Sequence, residues 1–430
     1  MSPSALRSRL ADWFGLNRAT VAVLVVIGCL GLSEEIWSNF LALHLKDLAP
    51  AADPSQAAIE AVWYAGIIAS LRNLLEGFGY LIGGSVAHRL GARVALAVSA
   101  APMAIGFVVM LSTREPWLIA AAALLMTNWE PLSVPATFDV VGSEVPKNRR
   151  TIAFAVQSIQ KRVPKIVGPA LGGLAFAMVG YWLNLTLAFV FVGLAVVLQL
   201  LLTRRLRPKA VPASVPLGEI LRSMPRDLRR LLSAEIFIRW GDWFARDFAA
   251  LYVVTILTTA WGWSDASAKS TVGWLMAIMA ATALATYVPI AKWVDRSPSP
   301  RPFIGLTFLL FSLFPISLVV LPRAFSALGL PVIAGFVITY VFNGLRELGE
   351  PARKALISTG FAPDVRARAV GLYWGLRSFA FCPAPFVAAL VWSRFGPDLT
   401  FLLGGAIGLT GTIWYATASG AAAREERASA

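Results

Sequence analysis

Runs of about 20 apolar residues, repeated along a chain, leave it little choice but to cross a lipid bilayer. The sequence is built from such runs. "ATVAVLVVIGCLGL" begins at Ala19 and "LNLTLAFVFVGLAVVLQLLL" at Leu183. Across all 430 residues, 57% are apolar and 14% are charged. An ordinary soluble domain is about 45–50% apolar and about 25% charged. The expected fold class is therefore an all-α polytopic membrane protein. Counting runs gives about twelve spans, over 19–44, 60–86, 92–113, 116–142, 150–179, 182–203, 232–258, 268–293, 302–322, 327–358, 367–393 and 398–419.

The formal net charge of +14 does not read as a nucleic-acid footprint. Its arginines and lysines collect in the short loops on alternate sides of the spans, which marks those loops as cytoplasmic. Both termini then lie inside. The richness in arginine and alanine suggests a bacterial inner membrane. Residues 1–18 read as an interfacial segment, with Leu6, Leu10, Trp13 and Phe14 on one helical stripe, and not as a cleavable leader. The longest connection, over 204–231, carries prolines and arginines and reads as a cytoplasmic linker. It separates an N-terminal six-helix bundle over 19–203 from a C-terminal one over 232–419, and 420–430 reads as a cytoplasmic tail.

Enzyme chemistry finds no footing. Cys29 and Cys382 lie in apolar runs without disulfide or metal-ligand spacing, and His44 and His88 are too few for a metal-rich site. There is no phosphate-binding loop and no nucleophile–histidine arrangement. Neither a metal nor a cofactor is expected.

The two halves repeat one another. "GGSVAHRLGAR" (Gly83–Arg93) and "AKWVDRSPSPR" (Ala291–Arg301) each close the second span of a half, about 207 residues apart. "SEEIWSNFLALHL" overlays "GDWFARDFAALYV", which aligns Glu34 with Asp242 and Phe40 with Phe248. "NRRTIAFAVQSIQKRVPKIVGP" overlays "RARAVGLYWGLRSFAFCPAP", which aligns Lys161 with Arg377 and Pro169 with Pro385.

On these residues the chain resembles the major facilitator superfamily of secondary transporters. The family pattern G-x-x-x-D-R-x-G-R-R at the turn after the second span is matched by Gly84, Arg89, Gly91 and Arg93, with His88 in place of the aspartate. Asp295 and Arg296 stand at the corresponding turn of the second half. The pattern G-P-x-x-G-G of the fifth span is present as Gly168, Pro169, Gly172 and Gly173. The resemblance implies two pseudo-symmetric six-helix bundles, a central cavity lined by spans one, four, seven and ten, a gating role for these turn and glycine residues, and a monomer. The fourth span carries "MTNWEPLSVPA" where drug exporters of the family have R-x-x-Q-G-x-G-x-A.

Charges inside the spans point to the site. Each would cost roughly 2.5–3.5 kcal/mol at the bilayer centre, so they must face one another or water. Lys161, Arg377, Gln157, Asn128, Arg346, Arg246 and Trp374 are the expected substrate contacts, with Lys161 and Arg377 as a clamp for an anion. Glu34, Glu35 and Asp242 are the expected proton carriers. The excess of cations favours a small organic anion or amphiphile moved by alternating access with protons. The alternative is a multidrug-type proton antiporter for cationic or neutral compounds. The expected partners are the substrate, protons and the lipid bilayer, and no nucleic acid.

Overall fold

A computed structural model describes residues 18–38, 41, 54–202, 215–246 and 248–429. Residues 1–17 of the expected interfacial segment, the first part of the linker, Phe40, His44 and Asp247 lie outside the described residues. Among the described residues the chain is helical, with one 3₁₀ turn at Lys147–Arg149. The helices are α1 (Arg18–Ser38), α2 (Pro54–Ser112), α3 (Pro116–Met126), α4 (Trp129–Glu144), α5 (Arg150–Val179), α6 (Tyr181–Leu202), α7 (Leu217–Ser223) and α8 (Arg226–Trp243). They continue as α9 (Ala249–Thr259), α10 (Asp265–Arg296), α11 (Arg301–Ala327), α12 (Val332–Leu345), α13 (Glu350–Thr359), α14 (Arg366–Phe381), α15 (Ala384–Phe395) and α16 (Pro397–Ser429).

Eight helices among the described residues are long and apolar enough to cross a membrane. One of these stretches, Gly66–Ser112, has 47 residues, or about 70 Å at 1.5 Å per residue against a hydrocarbon core of about 30 Å. The helical path breaks inside it at Gly91, with φ 80° and ψ 165°. That conformation is essentially reserved for glycine and costs another residue roughly 1–3 kcal/mol. Gly91→Ala is therefore expected to lower the melting temperature of the purified protein by several degrees, read by a thermal-shift assay in detergent; an unchanged value would mean the turn re-forms without strain.

Several expected spans are interrupted, and proline supplies the reason for two. Pro131 has no N–H to donate to the Thr127 carbonyl and its ring crowds that carbonyl, so α3 ends at Met126 and α4 starts at Trp129. Pro351 stands in the same relation to Glu347, and between α12 and α13 the chain tightens into turns in which the N–H groups of Glu347 and Leu348 reach back three residues to Gly344 and Leu345. Within spans such breaks are tolerated where neighbouring protein satisfies the freed groups. The seventh span also breaks, between α8 and α9, without a proline.

The chain groups into two compact units. One takes Met1–Asp53, Leu71–Met224 and Lys354–Phe379; the other takes Pro54–Ser70, Pro225–Arg353 and Ala380–Ala430. In the first, α1 packs on α5 and α6. Leu30 and Trp37 of α1 are buried with Met103 and Phe107 of α2, Met126 of α3 and Leu185 of α6. Polar ties cross this apolar seam: Ser33 donates to the Ala188 carbonyl at 2.7 Å and Asn184 to the Ile36 carbonyl at 3.2 Å. In the second, α16 packs on α8 and α11. Its core joins Phe248, Phe314, Phe336 and Phe401, with Tyr252 edge-on to Phe401 at 4.9 Å.

Candidate functional site

In the first unit, the break between α3 and α4 sets three consecutive polar or aromatic residues at one level. Asn128 donates to the Leu124 carbonyl at 3.0 Å, which ties it to the last turn of α3. The indole N–H of Trp129 donates to Glu34 of α1 at 2.9 Å. Glu130 pairs with Lys161 of α5. The expected proton carrier Glu34 thus faces a neutral donor, whereas the expected anion clamp Lys161 already holds a carboxylate. Glu35, one residue on, lies against Gly168, where a side chain would collide with it. The missing Cβ of Gly168 is what lets α5 come this close to α1.

The same face of α5 carries Gln157 and Ser158, both buried. Lys354 of α13 donates to Ser158 at 3.3 Å. Among the described residues the acceptor oxygens of Gln157 and Asn128 are buried and make no hydrogen bond. Such groups cost free energy unless a ligand or water meets them. Arg377 lies over the face of Trp374 at 3.8 Å. The Trp374 ring is 5.8 Å from that of Tyr80 and 6.1 Å from that of Phe138.

The second unit holds a concentration of positive charge. Asp242, at the end of α8, has a fully buried side chain. Among the described residues three guanidiniums meet it: Arg346 at 2.5 Å, Arg239 at 3.3 Å and Arg246 at 3.4 Å. The guanidiniums also lie on aromatic faces, Arg346 and Arg239 on Phe311 at 4.5 and 4.9 Å and Arg246 on Trp243 at 4.9 Å. The Nε of Arg346 is buried and has no acceptor among the described residues. Below this cluster in the chain, Arg353 pairs with Glu235 and with Glu350, and both Arg353 and Glu235 are nearly solvent-free.

Removing one member of a buried pair costs about 3–5 kcal/mol. Arg353→Met is therefore expected to lower the unfolding midpoint strongly while Glu235 and Glu350 are retained. A denaturation series in detergent checks this, and a midpoint within error of wild type would show the pair to be dispensable.

The residues matched to the turn pattern are also placed. Gly84 stands close against Gly371 and the Ala367 carbonyl, and His88 is buried with its Nε2 unpartnered among the described residues. Arg89 and Arg93 flank the Gly91 break, and the Arg93 carbonyl accepts from Gln199 at 2.5 Å. Asp295 and Arg296 end α10. Pro169, Gly172 and Gly173 lie within α5. Glu130 and Arg239 were not among the expected site residues. One sequence feature marks Glu130: the doublet Glu130–Pro131 recurs about 220 residues later as Glu350–Pro351, and each glutamate pairs with a cation.

A profile of the Major Facilitator Superfamily matches residues 23–264. The multidrug resistance protein MdtH of Sodalis glossinidius (strain morsitans) is 28% identical over 362 residues, which span 82% of this chain and 77% of that protein. MdtH of Baumannia cicadellinicola subsp. Homalodisca coagulata is 28% identical over 352 residues, 81% of this chain and 75% of that one. Among solved structures, the human organic anion transporter MFSD10 (TETRAN) superposes with a TM-score of 0.68 at 16% identity, covering 93% of this chain and 99% of that one. The proton:xylose symporter XylE bound to 6-bromo-6-deoxy-D-glucose gives 0.64 at 13% identity, covering 92% and 94%. At such identities these two speak for the fold alone.

Proposed function

This chain belongs to the major facilitator superfamily and is a multi-pass membrane transporter, and we propose that its substrate is a small organic anion or zwitterion with an aromatic or apolar part, moved by alternating access with proton coupling. The observation that carries this reading is the cluster of Arg239, Arg246 and Arg346 around the carboxylate of Asp242. An arginine fork binds a carboxylate through paired hydrogen bonds, and the rings of Phe311, Phe314 and Trp243 beside it offer an apolar wall.

In this reading Arg246 and Arg346 meet the anionic group and Asp242 is their fixed counter-ion, a role different from the proton carrier read from sequence. Glu34 carries the proton, with Glu35 beside it. Lys161, Arg377, Gln157, Asn128 and Trp374 contribute the remaining substrate contacts, Lys161 by exchanging Glu130 for the substrate. Gly84, His88, Arg89, Gly91, Arg93, Asp295, Arg296 and the glycines of α5 act in gating. The protein works as a monomer in a bacterial inner membrane, with both termini cytoplasmic. The two six-helix halves of the repeat rock about a midplane site.

A second reading is export of cationic or neutral drugs in exchange for protons. The curated relatives named multidrug resistance proteins favour it. Proteoliposomes separate the two: a panel of aromatic carboxylates and cationic dyes is tested with and without an imposed pH gradient. Gradient-driven carboxylate movement supports the anion reading, and cation movement with no carboxylate transport would replace it.

A further inference from the structure

We propose that residues 215–224 of the linker are a strap that ties the start of the second unit to the first and restrains the parting of the two halves on the cytoplasmic side. The inference rests on alternating access and not on the nature of the solute. The segment belongs to the first compact unit, which runs to Met224, and Pro225 opens the second. It contains α7, a helix of 7 residues, too short to hold by itself in water. Ile220 and Met224 stand four residues apart, on one helical face, and are 2% and 1% exposed. Glu219, Arg222 and Ser223 are exposed. Burial of the two apolar side chains is therefore what seats the segment.

A second hold comes from outside the linker. Arg368, in the first turn of α14, donates through Nη1 to the Val215 carbonyl at 2.5 Å, and it too belongs to the first unit. The segment is thus fastened at its start by a guanidinium and further along by burial. Pro225 has no N–H with which to continue α7. The Met224 N–H closes instead on the Leu221 carbonyl at 3.4 Å, and the Pro225 carbonyl accepts from Arg229 of α8 at 3.0 Å. The chain therefore passes from one unit to the other in a single residue step. While the strap is seated, the linker before Val215 gives α8 no reach. The start of α8 can pivot at this joint but cannot draw away, since successive Cα atoms stay about 3.8 Å apart. Parting of the halves on this side asks the strap to let go.

The test uses the full chain in lipid nanodiscs, with Cys29→Ala and Cys382→Ala to clear the native thiols. Spin labels go on Asn148→Cys and Pro298→Cys, exposed positions of the first and second units, and their distance distribution is measured. About six glycine and serine residues inserted between Met224 and Pro225 give α8 a reach of about 13 Å with the strap still seated. Ile220→Ser with Met224→Ser unseats it, because burial of each side chain of this size is a factor of about ten or more. Either change is expected to raise the population at longer label distances about ten-fold, and Arg368→Gln to raise it less. Hydrogen exchange across 219–224 should quicken in the serine variant and stay slow in the insertion variant. Label distances unchanged by the insertion would overturn the proposal, and so would fast exchange across 219–224 in the unsubstituted protein. Distances that move with pH alike in every variant would remove the strap and leave alternating access standing, whereas one fixed distance throughout would count against both.

Discussion

Replacing Arg346 by alanine is expected to reduce kcat/KM for an aromatic carboxylate by about 100-fold or more, while an uncharged analogue of the same shape loses little. Truncating one partner of a buried, hydrogen-bonded charge pair costs about 2–5 kcal/mol, and each 1.36 kcal/mol is a factor of ten in rate. Arg346 makes the shortest contact to Asp242 and spans the rings of Phe311 and Phe314. Its loss takes away both the fork and the cation over the aromatic wall. Arg346→Lys keeps the charge but not the planar fork, so about a tenth of the activity should survive. The measurement is initial-rate transport in proteoliposomes, with size-exclusion chromatography showing that the variant is folded. Equal loss for the charged and uncharged compounds would make Arg346 a scaffold and sink its role in binding.

Glu34→Gln is expected to abolish uphill transport and leave downhill exchange intact. A one-unit pH gradient carries about 1.4 kcal/mol per proton, enough to hold a solute at a ten-fold concentration ratio. Without a titrating group at the coupling position that ratio should fall to unity, while substrate-for-substrate counterflow continues. The substitution suits the test because the glutamine oxygen still accepts the Trp129 N–H that Glu34 accepts at 2.9 Å. Trp129→Phe, which removes the donor and keeps the carboxylate, should displace the pH profile without abolishing coupling. Full accumulation by the Glu34→Gln protein would move the coupling role to Glu35 or elsewhere.

Much of the architecture could be read from short-range pattern. Apolar runs are contiguous in sequence, and the turn residues around Gly91 are local. Side-chain partners are another matter. Arg239 stands three residues before Asp242 and Arg246 four after it, a spacing that brings side chains together along a helix. Arg346 is 104 residues away, and no local rule selects it. Glu130 and Lys161 are 31 apart on different helices, and no local rule pairs them. Pro131 and Pro351 stood in plain view, but a proline inside a long apolar stretch is compatible with either a kinked span or a broken one.

The arginine cluster also says something about how this protein should be handled. An anion held by these guanidiniums binds the folded protein and not the unfolded chain. Binding to the native state alone adds about 2.7 kcal/mol of stability at a hundred-fold excess over Kd. Resistance to heat then becomes a readout of occupancy, and the native solute can be sought among metabolite mixtures by which fraction makes the protein hardest to melt.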